Sequence, residues 1–101
     1  MYNNQTLFRQ PVDLKIIIDK GAFLVDVRTP AEFAEGNVPG SVNIPLDILA
    51  TQLDKFKNKE HIVVFCLSGN RSGQAKIILE QHGFSHVING GTWEYVYKLL
   101  L

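Results

Sequence analysis

The 101-residue sequence contains one cysteine, which excludes a disulfide within the chain and leaves a single thiol free for chemistry. A lone cysteine also fits a reducing compartment. Neither sign of charge is in excess: ten basic and ten acidic residues cancel. No bulk field therefore recruits nucleic acid or an anionic membrane. No apolar run approaches the roughly 20 residues of a membrane span. The opening residues, Met1-Tyr2-Asn3-Asn4-Gln5-Thr6, lack the basic and apolar regions of a secretory signal. Read as a complete chain, the sequence is expected in the cytoplasm. Its three histidines, His61, His82 and His86, show no metal-ligand spacing. No Gly-rich nucleotide motif is present either, and Gly90-Gly91 reads as a turn before a helix. Neither a metal nor a cofactor is expected. Internal repeats and low-complexity segments are lacking as well.

What remains is an ordinary globular composition, with 46% hydrophobic and 20% charged residues. The length suits one core and one domain over residues 1–101, with residues 1–7 polar and expected to be loosely held. The informative stretch runs from His61 to Gly73. Ile62 to Phe65 is a short apolar run rich in β-branched residues and reads as a buried strand. Cys66 ends it. Leu67, Ser68, Gly69, Asn70, Arg71 and Ser72 follow, and then Ala75, Ile78, Leu79 and His82 recur at helical spacing. The sole thiol thus stands where a strand hands over to a helix, in a loop whose amides can converge on negative charge. Such a location lowers a thiol's pKa from about 8.5. A bland alternative is a small buried hydrophobe at a strand end. Two residues weigh against it. Gly69 permits the positive φ that lets successive N–H groups point inward. Arg71 sits at the electropositive end of a helix, an unfavourable place for a cation unless an anion is near.

Cys66-Leu67-Ser68-Gly69-Asn70-Arg71-Ser72 resembles the active-site loop of the single-domain rhodanese (thiosulfate sulfurtransferase) family. A second block is similar to that family's: Leu24-Val25-Asp26-Val27-Arg28-Thr29-Pro30-Ala31-Glu32-Phe33, then Gly36-Asn37-Val38-Pro39-Gly40-Ser41-Val42-Asn43-Ile44-Pro45. A third, Asn89-Gly90-Gly91-Thr92-Trp93, resembles the family's Gly-Gly-x-x-Trp ending. Asn37 departs from the pattern, standing where the family usually has histidine. The resemblance implies a rhodanese-like α/β fold, a central parallel sheet of about five strands with helices on both faces. It also implies Cys66 as nucleophile, with the amides from Leu67 to Ser72 holding the transferred sulfur. A thiosulfate-like small molecule would be the donor. A small thiol, a dithiol or a protein would be the acceptor.

The rest of the chain agrees with alternating strands and helices, the pattern of a helix-covered parallel sheet. Phe8 to Pro11 is expected as an edge strand and Val12 to Lys20 as a helix stopped by Gly21. Ala22 to Val27 is expected as a buried strand that carries Asp26 to the edge where open α/β sheets place their sites. A bracing role suits Asp26, because a negative charge beside the nucleophile would oppose its ionisation. Thr29-Pro30-Ala31-Glu32 carries a capping-box pattern, and Arg28 is expected to pair with Glu32. Val42 to Ile44 reads as a brief strand. Leu46, Leu49, Leu53 and Phe56 mark one helical stripe. Phe84 to Ile88 reads as the last strand, and Trp93, Val96, Tyr97 and Leu100 as a final helix with Trp93 in its packing. Arg71 is open between two roles, anion binding and loop bracing. Two other functions compete with sulfur transfer. A cysteine phosphatase or arsenate reductase also needs a thiolate in an anion nest. The resemblance separates it by loop length, since phosphatases place five residues between cysteine and arginine and this loop has four. A binding or sulfur-carrier module is the second competitor, because a fold does not fix a function.

Overall fold

A computed structural model describes residues 13–101 of the chain. The expected strand at Phe8 to Pro11 lies outside them, as does the start of the expected first helix. Helix α1 (Leu14–Asp19) begins where the Asp13 carboxylate accepts the Ile16 N–H at 3.3 Å. The chain then turns at Gly21, φ 92°, into β1 (Phe23–Asp26). Helix α2 (Pro30–Glu35) carries the predicted capping box, with Thr29 and Glu32 each accepting from the other's backbone N–H. Then come β2 (Val42–Asn43), β3 (Ile62–Cys66), α3 (Asn70–Gln81), β4 (Val87–Thr92) and α4 (Trp93–Leu99).

Among the described residues the sheet has four strands rather than about five, all parallel, in the order β2-β1-β3-β4. Every residue of β3 is buried, as expected of a central strand covered on both faces. Alternate side chains feed two cores. Val25, Ile62, Val64 and Cys66 pack with Leu49, Phe56, Ala75 and Leu79 on the α3 side. Leu24, Val63 and Phe65 pack with Leu14, Ile18 and Val96 against α1 and α4. This two-sided packing fixes the register, since a slip of one residue would exchange the faces of every side chain.

Two expected elements differ. The stripe Leu46, Leu49, Leu53, Phe56 lies on two short 3-10 helices, Leu46–Thr51 and Leu53–Phe56, not one α-helix. The Gln52 N–H closes onto the Leu49 carbonyl three residues back at 2.9 Å, tightening and ending the first segment. Leu49 and Phe56 are buried all the same. The last strand starts at Val87 rather than Phe84, because the Phe84 N–H is taken by the Leu79 carbonyl and His86 turns the chain at φ 60°. It then runs through Gly90-Gly91, which is therefore a strand segment and not a turn. The register shifts there, Asn89 facing Val64 and Gly91 facing Phe65. A side chain at position 90 would be crowded, because a Cβ would lie 3.0 Å from Val63 Cγ1 and 3.1 Å from Val96 Cγ2.

Candidate active site

The carboxyl ends of β1, β3 and β4 bring Asp26, Cys66 and Thr92 to one edge of the sheet. Cys66 closes β3 and is wholly buried beneath the loop that follows it. Gly69, at φ 99°, turns that loop back over the sulfur and opens α3. Its N–H donates to Cys66 Sγ at 3.0 Å, and the Ser72 N–H does so at 3.4 Å. Ser72 Oγ also lies 3.4 Å from the sulfur. Among the described residues, the N–H groups of Leu67, Asn70 and Arg71 make no such bond. Leu67 instead holds its side chain out to solvent. Burial pushes the Cys66 thiol pKa up, but the Ser72 hydroxyl and the amides of Ser72, Ser68 and Gly69 together outweigh it, leaving it below the ordinary value.

Around this ring the structure pairs charges differently from the expectation. Arg28 does not reach for Glu32; its guanidinium clasps Asp26, with Nε at 3.0 Å from both carboxylate oxygens and NH2 at 2.7 Å from Oδ2. The Arg28 N–H donates to the same carboxylate, and NH2 also donates to the Gly36 carbonyl at 2.7 Å. Both side chains are buried, so the pair is a local brace that β1 delivers two residues apart. Glu32 is free for Arg71, which meets it bidentately at 2.8 and 3.0 Å. The Arg71 hydrogen bonds, followed by the Thr29 N–H, lower the Glu32 carboxyl to about 2. The anion implied by an arginine at a helix start is thus a glutamate of α2.

Three supporting residues were not legible as such in the sequence. Glu32 reads as half of a capping box and serves a second partner 39 residues away. Asn43 Nδ2 donates to the carbonyls of Asp26 and Arg28 at 3.0 and 2.9 Å, tying β2 to the β1 exit. Its place in the Asn43-Ile44-Pro45 block was the available signal. Asn89 accepts from Ser72 Oγ at 2.7 Å and from the Gly91 N–H at 2.9 Å, and its Nδ2 donates to the Gly69 carbonyl at 3.2 Å. It thereby joins the cysteine loop to β4. Asn37, the departure from the family pattern, donates to the Phe33 carbonyl at 2.9 Å at the end of α2. Trp93 packs as expected, with the Arg28 guanidinium 4.7 Å from a ring centroid, and it also lines the depression beside the loop. His61 sits at the far end of β3, next to His86 at 5.7 Å between ring centroids. It therefore supports no pairing with Cys66.

The family model for the rhodanese-like domain matches residues 10–97. The chain belongs to that family. It is 41% identical over 71 residues to the thiosulfate sulfurtransferase PspE of Escherichia coli, covering 66% of each chain. It is 38% identical over 66 residues to a sulfurtransferase of Allochromatium vinosum, covering 65% of this chain and 62% of that one. With the thiosulfate sulfurtransferase GlpE of Pseudomonas syringae it shares 33% identity over 91 residues, 86% of each. Among solved structures, the human single-domain sulfurtransferase TSTD1 is similar at TM-score 0.72 and 28% identity, covering 85% and 90% of the two chains. Among the described residues no helix is long and apolar enough to cross a membrane.

Proposed function

We propose that this chain is a sulfurtransferase that carries one sulfane sulfur as a persulfide on Cys66. The observation that supports the reading best is the sulfur's position, accepting the Gly69 and Ser72 N–H groups inside the loop. In the first half-reaction the Cys66 thiolate attacks the outer sulfur of a donor such as thiosulfate. The S–S bond of the donor breaks, sulfite departs with its electron pair, and Cys66–S–S⁻ forms. In the second, a thiolate acceptor, small or on a protein, attacks that outer sulfur and leaves the Cys66 thiolate. A double displacement of this kind gives ping-pong kinetics. The terminal sulfur carries the charge, and the loop amides are its donors. Removing a comparable oxyanion donor costs about 10²–10³ in rate elsewhere. The buried thiol needs the 67–70 segment to yield slightly before a donor reaches it. With no second cysteine, the sulfur cannot be resolved within the chain. The lone thiol suits a reducing cytoplasm.

The four residues between Cys66 and Arg71 disfavour a phosphatase, as does the engagement of Arg71 with Glu32. A carrier module is the nearer competitor, since a Bacillus subtilis relative at 33% identity is described as a putative sulfur carrier protein. Intact-mass analysis after incubation with thiosulfate tests the proposal. Wild type is expected to gain one sulfur atom and to lose it to an added thiol with turnover, and Cys66→Ser to gain none. Gain without turnover marks a carrier. Hydrolysis of an aryl phosphate with no sulfur gained contradicts the reading.

A further inference from the structure

Asn89 lies on β4, is exposed, and takes no part in the proposed sulfur transfer. Its side chain nevertheless ends on the two residues that donate to the Cys66 sulfur. Oδ1 accepts from Ser72 Oγ at 2.7 Å, and Nδ2 donates to the Gly69 carbonyl at 3.2 Å. The aim of this side chain is built into the strand. Between Asn89 and Gly91 the register of β4 shifts against β3, and such an irregularity re-aims the side chain beside it. The Gly91 N–H then closes onto Asn89 Oδ1 at 2.9 Å, a short turn that sets which end of the amide is oxygen.

The geometry points to Asn89 as a positioning residue for the Cys66 sulfur, acting through both Gly69 and Ser72. Its part in turnover rests on the sulfurtransferase reading; its effect on the thiol does not. Gly69 opens α3 without a side chain to cap it. Its carbonyl is held from β4 instead, which steadies the residue whose N–H meets the sulfur at 3.0 Å. Ser72 poses a different problem, because its hydroxyl has one proton and three neighbours able to take it. These are Asn89 Oδ1 at 2.7 Å, the Gly69 carbonyl at 3.1 Å and the sulfur at 3.4 Å. While Cys66 is a thiol, the proton goes to Asn89 and the Ser72 oxygen accepts from the S–H. Once the sulfur is a thiolate, the hydroxyl turns to it without orphaning Asn89, whose Oδ1 keeps the Gly91 N–H. Without the amide, the Gly69 carbonyl loses one donor and competes for the Ser72 hydroxyl. Both groups are then drawn away from the sulfur, and the thiolate is less favoured.

Alkylation of Cys66 by neutral iodoacetamide, followed from acid to alkaline pH on the full chain, tests this. Asn89→Ala is expected to move the midpoint upward and to slow alkylation at pH 7 about threefold, without lowering the alkaline plateau. Asn89→Leu keeps the bulk of the side chain, removes its polar atoms, and is expected to do the same. A mere strut between strand and loop would alter Tm or the plateau and leave the midpoint in place. In a Ser72→Ala background Asn89→Ala is expected to have a smaller effect, because one of its two routes is gone. Persulfide formation from thiosulfate at pH 7 is expected to slow by the same factor as alkylation and to recover at alkaline pH. An unchanged midpoint in both single variants overturns the inference, as does a midpoint that falls because the freed hydroxyl turns to the sulfur. Equal effects in the two backgrounds overturn it as well, since Ser72 would then carry none of the coupling. If the midpoint rises as expected in a chain that takes no sulfur from thiosulfate, Asn89 keeps this role and the sulfurtransferase reading is what fails.

Discussion

Arg71, on the first turn of the helix after the cysteine loop, clasps Glu32 of α2 through two hydrogen bonds of 2.8 and 3.0 Å. Each side chain is about one-third exposed, with 31% and 32% of its surface accessible. The pair ties the loop that surrounds Cys66 to the helix after β1, and Glu32 also caps that helix. Its contribution is modest, because solvent screens it: about 0.5–1 kcal/mol. The Glu32 carboxyl sits at about 2 in the folded state against an ordinary 4.5. A depressed carboxyl stabilises the fold fully above its unfolded value, and that stabilisation is lost as pH falls toward 2. Urea unfolding of wild type and Glu32→Gln is therefore expected to differ at pH 7 and to converge as pH falls from 4.5 toward 2.

Asp26 and Arg28 pose a sharper case, because both are buried. Asp26→Asn leaves the guanidinium without a counter-charge in a low-dielectric site. The expected loss is about 3–5 kcal/mol by chemical denaturation. Replacing both partners, as in Asp26→Leu with Arg28→Met, is expected to recover most of it. A small effect of Asp26→Asn alone would show that water reaches the pair.

Ser72 contributes both a hydroxyl and an amide to the sulfur, and its Oγ also touches Asn89 at 2.7 Å. Ser72→Ala removes the hydroxyl and keeps the amide. The Cys66 thiol is then expected to titrate higher, and alkylation at pH 7 to slow about threefold. An unchanged alkylation rate would show that Asn89, rather than the sulfur, holds the hydroxyl proton throughout.

Gly69 is where backbone conformation and chemistry meet. Its φ of 99° suits glycine, and a Cβ there would meet only Gly91 Cα, at 3.6 Å. Space is available, so the cost of Gly69→Ala is conformational, about 1 kcal/mol. The variant is expected to fold with a slightly lower Tm and to alkylate Cys66 more slowly, as the N–H at 3.0 Å turns away.

Local patterns made much of this architecture legible. Thr29, Pro30 and Glu32 spell a helix start that depends only on neighbours, and it forms as expected. The apolar run from Ile62 to Phe65 implied a buried strand, and its residues are all buried. Less legible were features decided by distant partners. The preference of Glu32 for Arg71 over Arg28 depends on β1 ending beside β3, which no spacing encodes. The stripe from Leu46 to Phe56 fits a helical period, yet a three-residue hydrogen bond at Gln52 breaks it while leaving its core residues buried. The passage of β4 through Gly90-Gly91 is likewise a tertiary decision. A glycine pair reads as a turn until Val63 and Val96 are seen to crowd it.

The proposed sulfur transfer depends above all on the ionisation of Cys66. Following the thiolate by its ultraviolet absorbance, or by alkylation rate, from acid to alkaline pH gives the midpoint directly. The loop donors predict a midpoint below the ordinary thiol value. A midpoint at or above that value would mean that burial outweighs the Gly69 and Ser72 donors, and the nucleophile proposed here would not form.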